Sequence, residues 1–483
     1  MDPELHRQLR RLSDRQNNLE RRLQRIENSS TFRFLRWLGP KMSALGLPVP
    51  GVSQIDDAAV YQAWIQESSL REPIPPSTRQ PLISVTLDSP SLKDQTYRAW
   101  EVFNSATTKP RGEAILHITG DVILEPDALA NFAAAFDHDT VAVYSDWDHI
   151  DSTGRRHSPR FTPEFSPELA LQTPYWGSCY LTSANHDHEI SWPPGAVRRI
   201  PRILWHSQQP ATVAVKAHTH PASTARASII ICSRNPDRLA RCLKALRPTL
   251  DQRHEIIVVA HDIDLPSIDA AKIARYRGAF HFGAMNQLGV EASNGDVLCF
   301  LNDDVLPITP DWLERMLAQA ARPEVGIVGA LLLYPDKTIQ HAGVVVDRWH
   351  PAHIGRFQKD SALWPWLRMT RDVSAVTGAC LAIRRSTWNV LGGFDPQFPV
   401  NYNDIDLCLR AAGRGFRIVI EVQAVLVHEE ARTRVAVVRP EEAEKFHQRW
   451  GEITDRPDRF FNPHFSTEDE TIALRLVHPA IRI

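Results

Sequence analysis

From residue 227 onward the chain alternates short, uninterrupted apolar runs with amphipathic stretches, and few folds accept that order. "ASIIICSRN" is a run of branched residues ending in polar ones, and the "PDRLARCLKAL" that follows sets Leu239, Cys242, Leu243 and Leu246 on one helical face. "EIIVVAHD" and "DVLCFLNDDV" repeat the first pattern. A strand that is apolar on both faces must be covered on both faces, and the intervening helices supply the cover. The pattern therefore predicts an α/β chain built on a mostly parallel sheet. Ligands of such sheets bind beyond the carboxyl ends of the strands. Arg234 and Asn235, Asp262, and Asn302 to Asp304 stand at those ends.

Two polar, proline-bearing stretches punctuate the chain: "REPIPPSTRQP" at 71–81, and the segment from "SQQPATV" to "PASTARA" that ends near Ala227. They predict a helical arm (1–45), a linker (46–80), a middle domain (81–210), a C-terminal domain (227–465) and a tail (466–483). In the middle domain "ILHITGDVILEPDAL" has the order of "VLCFLNDDVLPITPDWL": strand, acidic turn, proline, helix. That recurrence predicts a duplicated domain. In the arm, Leu5, Leu9, Leu12, Leu19, Leu23 and Ile26 alternate steps of four and three around Gln16. About three heptads of this spacing suit either a coiled coil joining copies of the chain or an amphipathic helix packed on its own domain. In "TFRFLRWLGPK", Phe32, Phe34, Leu35, Trp37 and Leu38 are interleaved with Arg33, Arg36 and Lys41. This fits a bilayer surface or a packed connector.

The net charge of −2 offers no basic field, which argues against a nucleic acid partner. The six cysteines stand singly, as in a reducing compartment. No apolar run approaches the roughly 20 residues of a membrane span, and the N-terminus is polar. The expectation is a soluble cytoplasmic chain, with peripheral membrane contact resting on the aromatic segment alone.

One ordered series carries a resemblance: "SIIICSRN", "EIIVV", "FHFGAMNQLGVEASNGDVLCFLNDDV", "LLYPDKTIQHAGVVV", "VSAVTGACLAIRRSTWNVLGGFD", "NDIDLCLRAAGRGFRIV" and "AVLVHEEA". The series resembles the family 2 glycosyltransferases, and among them the two-domain members that build O-antigen and related surface polysaccharides, often rhamnosyltransferases. The resemblance implies a GT-A, Rossmann-like, mixed and mostly parallel sheet in two tandem domains. It implies inverting transfer of a sugar from a nucleotide-sugar donor to a saccharide acceptor, lipid-linked in such relatives, with Mn2+ or Mg2+. Aligning "NDD" with the family's DxD puts Asp304 at the metal-ligand position and Asn302 where an Asp usually stands, with Asp303 between them. His428 in "VLVHEE" matches a further metal ligand, with Glu429 or Glu430 placed to orient its ring. Asp404 matches the general base; the apolar stripe of Ile405, Cys408, Leu409 and Ala412 puts it at a helix start, where ionisation is favoured or where Asp serves as a plain N-cap. Asn403 replaces the usual Glu, and Asp406 is read as stabilising the first turn.

Arg234, Asn235, Asp262 and Asn286 match positions near the donor, and Thr377, Gly378 and Ala379 match the loop under sugar and acceptor; each is also suited to local backbone capping. "EIIVV" ends at Ala260 where the family carries an Asp, so Asp262 or Asp264 must substitute if the base is to be contacted. The middle domain reads Thr119, Gly120, Asp121 at its DxD place, has little room for a first helix and lacks an acidic helix. It is expected to be noncatalytic. Asn302, Asn403, Ala260 and this eroded domain favour an alternative, a noncatalytic nucleotide-sugar-binding or scaffold subunit.

Overall fold

The computed structural model describes residues 57–68, 80–104, 107–185, 192–193, 196–209, 215–216, 221–347, 351–361, 363–429, 438–466 and 470–475. The arm, with its coiled-coil and bilayer readings, lies outside the described residues, as does most of the linker apart from α1 (Asp57–Ser68).

The middle domain holds β1 (Ile83–Val85), β2 (Trp100–Val102), β3 (Ala114–Ile118), β4 (Val122–Leu124), α2 (Ala128–Ala135), β5 (Ala142–Ile150), β6 (Arg156–Arg160), α3 (Pro167–Gln172), β7 (Cys179–Ser183) and β8 (Val197–Ser207). The C-terminal domain continues with β9 (Ala227–Ser233), α4 (Pro236–Leu246), β10 (Glu255–His261), β11 (Ala271–Tyr276), α5 (Phe282–Glu291), β12 (Val297–Asn302), β13 (Val305–Pro307), α6 (Trp312–Ala320), β14 (Val325–Leu333) and β15 (Ile339–His341). After a two-stranded ribbon of β16 (Val344–Val345) and β17 (Ala352–His353) come β18 (Arg371–Asp372), β19 (Cys380–Arg384), α7 (Arg385–Leu391), α8 (Asn403–Ala412), β20 (Arg417–His428) and α9 (Pro440–Thr454).

The first sheet runs β2-β1-β3-β7-β5-β8-β4 with β6 on β5, and the second runs β11-β10-β9-β12-β19-β14-β20-β13 with β15 on β14 and β18 on β20. Without β11 and β18 the two orders coincide strand for strand. So do the directions. The pairs β1/β2, β1/β3 and β5/β8 are parallel, as are β9/β10, β9/β12 and β14/β20, and the remaining matched pairs are antiparallel in both sheets. The repeated strand–turn–helix order in the sequence thus corresponds to a repeated topology. From Tyr61 onward the described residues belong to one compact unit.

Both faces of the second sheet are covered, as the uninterrupted strands require. Ile229, Ile231 and Val258 pack with Leu239, Leu243, Trp312 and Met316 of α4 and α6 in one core. Ile230 faces α5, which comes so close that a Cβ on Gly289 would lie 2.4 Å from it. Two elements are reduced in the middle domain. The first helix is only a 3₁₀ turn, Pro90–Leu92, and among the described residues no helix between β7 and β8 answers to α8. No helix among the described residues is long and apolar enough to cross a membrane.

Candidate functional site

The turn that opened by β12 closes at once into β13, which pairs antiparallel with β20 so that Val305 faces His428. Pairing at that register sets Asp304 beside the imidazole: Asp304 Oδ1 lies 3.2 Å from His428 Nε2. Burial works to raise the Asp304 pKa, but the His428 hydrogen bond and charge, with Arg238 nearby, hold the carboxyl below its ordinary value. His428 is 6% exposed, and its Nδ1 is buried without a hydrogen-bond partner. The ring nitrogen turned toward the strand edge is Nε2, which faces the Asp304 carboxylate. A carboxylate oxygen and an imidazole nitrogen facing each other are a donor pair that would suit a divalent cation. Glu429 does not orient the ring; its carboxylate pairs with Arg241 at 3.0 Å, while its backbone N–H donates to Asp304 O at 2.9 Å. Glu430 lies outside the described residues.

Asp303 accepts from Ser233 Oγ at 2.6 Å. Burial raises its pKa, opposed by the Ser233 hydroxyl and reinforced by the charge of Asp304. Asn235 is the N-cap of α4: its side chain accepts the Arg238 N–H at 3.0 Å, the local capping role. Arg238, which the sequence motifs leave unmarked, projects from that first turn to 3.5 Å from Asp304 and 3.7 Å from Asp303. Arg234 is exposed at the same strand end.

The start of β19 brings the base candidate to this edge. The Asn302 N–H donates to Ala379 O at 2.9 Å, and the neighbouring Gly378 N–H donates to Asp404 Oδ2 at 2.7 Å. The Ile405 N–H donates to Asp404 Oδ1 at 2.9 Å, and the Thr377 hydroxyl also bonds this carboxylate. The N-cap of α8 is Tyr402, at φ 62°, so Asp404 sits inside the first turn and is not the cap. The expectation that the helix start would favour ionisation is outweighed. Burial raises the Asp404 pKa despite the N–H and hydroxyl donors that oppose it. Asn403 is 5% exposed and donates through Nδ2 to Val400 O at 3.1 Å. Asp406 is fully buried against Arg410 (2.7 Å), Arg449 (2.8 Å) and the Trp450 indole (3.1 Å), which makes it structural.

Two donor-side candidates are engaged elsewhere. Asn286 is 2% exposed; its Nδ2 donates to Phe282 O at 2.9 Å and its Oδ1 accepts from Cys232, so the amide faces inward. Asp262, at φ 53°, accepts the Gly278 N–H at 3.1 Å and leaves its other oxygen 3.3 Å from His261. Ala260 is fully buried inside β10, so Asp262 is the first carboxylate past it on the ligand edge. Among the described residues the one cluster of three side chains close enough to share an ion is Asp251, His254 and Glu314. It lies at the opposite strand ends and is already satisfied: His254 Nδ1 accepts the N–H of Ala227 at 3.1 Å, and Arg253 pairs with Glu314.

The matched place in the first sheet is closed. The Thr119 N–H donates to Ser178 O at 3.0 Å, the counterpart of the bond from Asn302 to Ala379. Val122 faces Ser207 where Val305 faces His428, so a hydroxyl stands in place of the imidazole. Gly177 corresponds to Gly378, but a Cβ there would lie 2.6 Å from Trp205 and 2.9 Å from Trp147, whose rings stack at 4.6 Å.

Residues 225–452 match the family described as glycosyltransferase-like family 2. This stretch is a family 2 glycosyltransferase domain. The O-antigen biosynthesis protein RfbC of Myxococcus xanthus is 26% identical over 449 residues, covering 76% of this chain and 35% of that protein. The uncharacterized protein y4gI of Sinorhizobium fredii is 27% identical over 462 residues, covering 77% of this chain and 50% of its own length. An N-acetylglucosaminyl-diphospho-decaprenol L-rhamnosyltransferase of Mycobacterium tuberculosis is 27% identical over 155 residues, covering 28% of this chain and 49% of that one. The chain therefore spans between 35% and 50% of the length of these relatives. The family 2 match takes in the second sheet and stops short of the first, whose topology nonetheless repeats it.

Proposed function

We propose that this chain is an inverting, metal-dependent glycosyltransferase of cell-surface polysaccharide assembly, moving a sugar from a nucleotide-sugar donor to a saccharide acceptor. The observation that carries the reading is the Asp304–His428 pair at the strand edge, linked through the Asn302–Ala379 and Gly378–Asp404 bonds to a carboxylate of raised pKa. The names of the Myxococcus and Mycobacterium relatives support O-antigen-type chemistry and a lipid-linked acceptor.

In this reading Asp404 accepts the proton of the acceptor hydroxyl while that oxygen attacks the anomeric carbon. The bond from that carbon to phosphate oxygen breaks, and its electron pair leaves with the nucleoside diphosphate. A carboxylate whose pKa is raised is the stronger proton acceptor. Asp304 and His428 would hold a divalent cation, Mn2+ or Mg2+, which supplies compensation for charge gathering on the leaving diphosphate. Gly378 and Ala379 form the small-residue floor on which the sugar rests, and Asp262 is the carboxylate nearest the donor's base. The first sheet takes no part in the chemistry: it has no base-bearing helix among the described residues, and stacked indoles fill the matched place.

The alternative, a noncatalytic donor-binding or scaffold subunit, is favoured by the neutral Asn302 and Asn403. Purified protein with Mn2+ and a side-by-side panel of dTDP-rhamnose, UDP-hexoses and GDP-sugars separates the two, by release of free nucleoside diphosphate. The enzyme reading expects release with at least one donor and a fall of about 10²–10⁴-fold in Asp404→Asn, with donor binding kept. Binding without release for every donor, with or without saccharide acceptors, would instead establish the scaffold.

A further inference from the structure

Resting on that donor-site reading, we propose that Arg238 is a donor-binding residue that exchanges partners, leaning on Asp303 and Asp304 in the absence of donor and holding the diphosphate once metal and donor are present. Its backbone is fixed, because Asn235 accepts its N–H at 3.0 Å in the first turn of α4. Its guanidinium is not. The distances of 3.5 Å to Asp304 and 3.7 Å to Asp303 exceed the roughly 2.7–2.9 Å of a charge-assisted hydrogen bond. The side chain is 44% exposed. Arg417 shows how this chain holds a structural arginine: 13% exposed, 2.7 Å from Asp372 and 3.0 Å from Glu168.

The charges explain the exchange. Asp303 and Asp304 are two carboxylates facing one guanidinium, beside an asparagine that adds nothing. A divalent cation arriving alone must displace Arg238 from the carboxylates and then repels it. Bringing a diphosphate with the cation gives the displaced guanidinium a new partner, and its planar fork matches phosphate oxygens two at a time. Arg238 therefore opposes binding of the cation by itself and favours binding of the cation with a nucleoside diphosphate. Its effect on the two ligands has opposite signs, which a residue holding the carboxylates apart for structural reasons would not produce.

Calorimetric titration of the full chain with Mn2+ alone, and with UDP, dTDP and GDP in saturating Mn2+, tests this. In Arg238→Gln, Mn2+ alone should bind a few-fold more tightly, while the favoured nucleoside diphosphate should bind about tenfold or more weakly. Arg241→Gln removes the same charge three residues further along α4, from a side chain 62% exposed and paired with Glu429, and should alter neither affinity appreciably. Arg238→Gln changing both affinities in the same direction, or neither, overturns the assignment, and so does an equal loss of nucleotide affinity in Arg241→Gln. A wild-type chain that binds neither Mn2+ nor any of the three nucleotides overturns the donor-site reading itself, and this assignment with it.

Discussion

Asp404 is caught between opposing influences, and their balance fixes the pH range in which it can act as a base. Burial lifts its pKa; the N–H groups of Gly378 and Ile405 and the Thr377 hydroxyl pull it back. The lift wins, so the carboxylate takes up its proton at a pH above the usual aspartate value as acidity increases. Donor turnover should fall along an acid limb centred above the usual aspartate range. Thr377→Val removes one of the donors that stabilise the charged form, so that limb should move to higher pH; a limb that stays fixed or moves lower would show that the hydroxyl does not act on the base. That Asp304, His428 and Asp404 stand at strand or helix ends was legible in the sequence, because each lies in a short motif next to an apolar run. Their partners were not. Thr377 and Asp404 are distant along the chain, Glu429 is drawn away by Arg241, and Asn286 turns its amide inward to Phe282 and Cys232. Such pairings depend on side-chain direction, which a motif does not carry. The one local clue to Arg238 was its place three residues after a capping asparagine, on a turn facing the ligand edge.

Between the two sheets the same strands in the same order lead to opposite sites, and one matched pair of glycines shows how. At Gly378 a methyl group would meet Phe282 ring atoms at 3.1 and 3.3 Å and the Asp404 Cβ at 3.5 Å, with φ outside the left-handed region. The neighbours can yield by tenths of an ångström. Gly378→Ala should therefore cost about 1 kcal/mol of stability or less, while turnover drops more than tenfold because the shifted loop misplaces the N–H that holds the base. Gly177 is at φ 78°, and its added methyl would meet stacked indoles at 2.6 and 2.9 Å. Gly177→Ala combines backbone strain with overpacking and should cost about 2–4 kcal/mol, with turnover of the remaining folded protein unchanged. Urea denaturation paired with activity per folded molecule checks both; a Gly177 variant of normal stability would refute the plugged-site account. The repeated strand order was foreshadowed by the recurring strand, acidic turn, proline and helix. The plug was not, because Trp147 and Trp205 come from β5 and β8 and meet only after those strands pair.

At the scale of the molecule the first sheet is tied to the second by buried charge. Ser166, capping α3, donates to Asp372 Oδ2 at 2.7 Å, and Arg417 reaches both Asp372 at 2.7 Å and Glu168 at 3.0 Å. Arg322 also pairs with Glu168, and the Arg417 pKa is raised because its two carboxylates outweigh its burial. The C-terminal segment adds a second tie. Asn462 donates to Asp146 of β5 at 2.9 and 3.0 Å, and His464 lies 2.7 Å from Pro201 O of β8. A middle domain held this way unfolds with its neighbour, since separating the sheets would strand Glu168 and Asp372, 0% and 2% exposed, in a disrupted interface. Arg417→Ala leaves those carboxylates short of their main partner and should cost about 3–5 kcal/mol, whereas Arg459→Ala, which breaks a pair at 2.9 Å between side chains 64% and 40% exposed, should cost no more than about 1 kcal/mol. Urea unfolding followed by tryptophan fluorescence and by far-ultraviolet dichroism should give coincident single transitions in the wild type. Both should shift together to lower urea in Arg417→Ala. Separate transitions, or a loss in Arg417→Ala no larger than in Arg459→Ala, would show that the two sheets are neighbours in one chain without being one cooperative body.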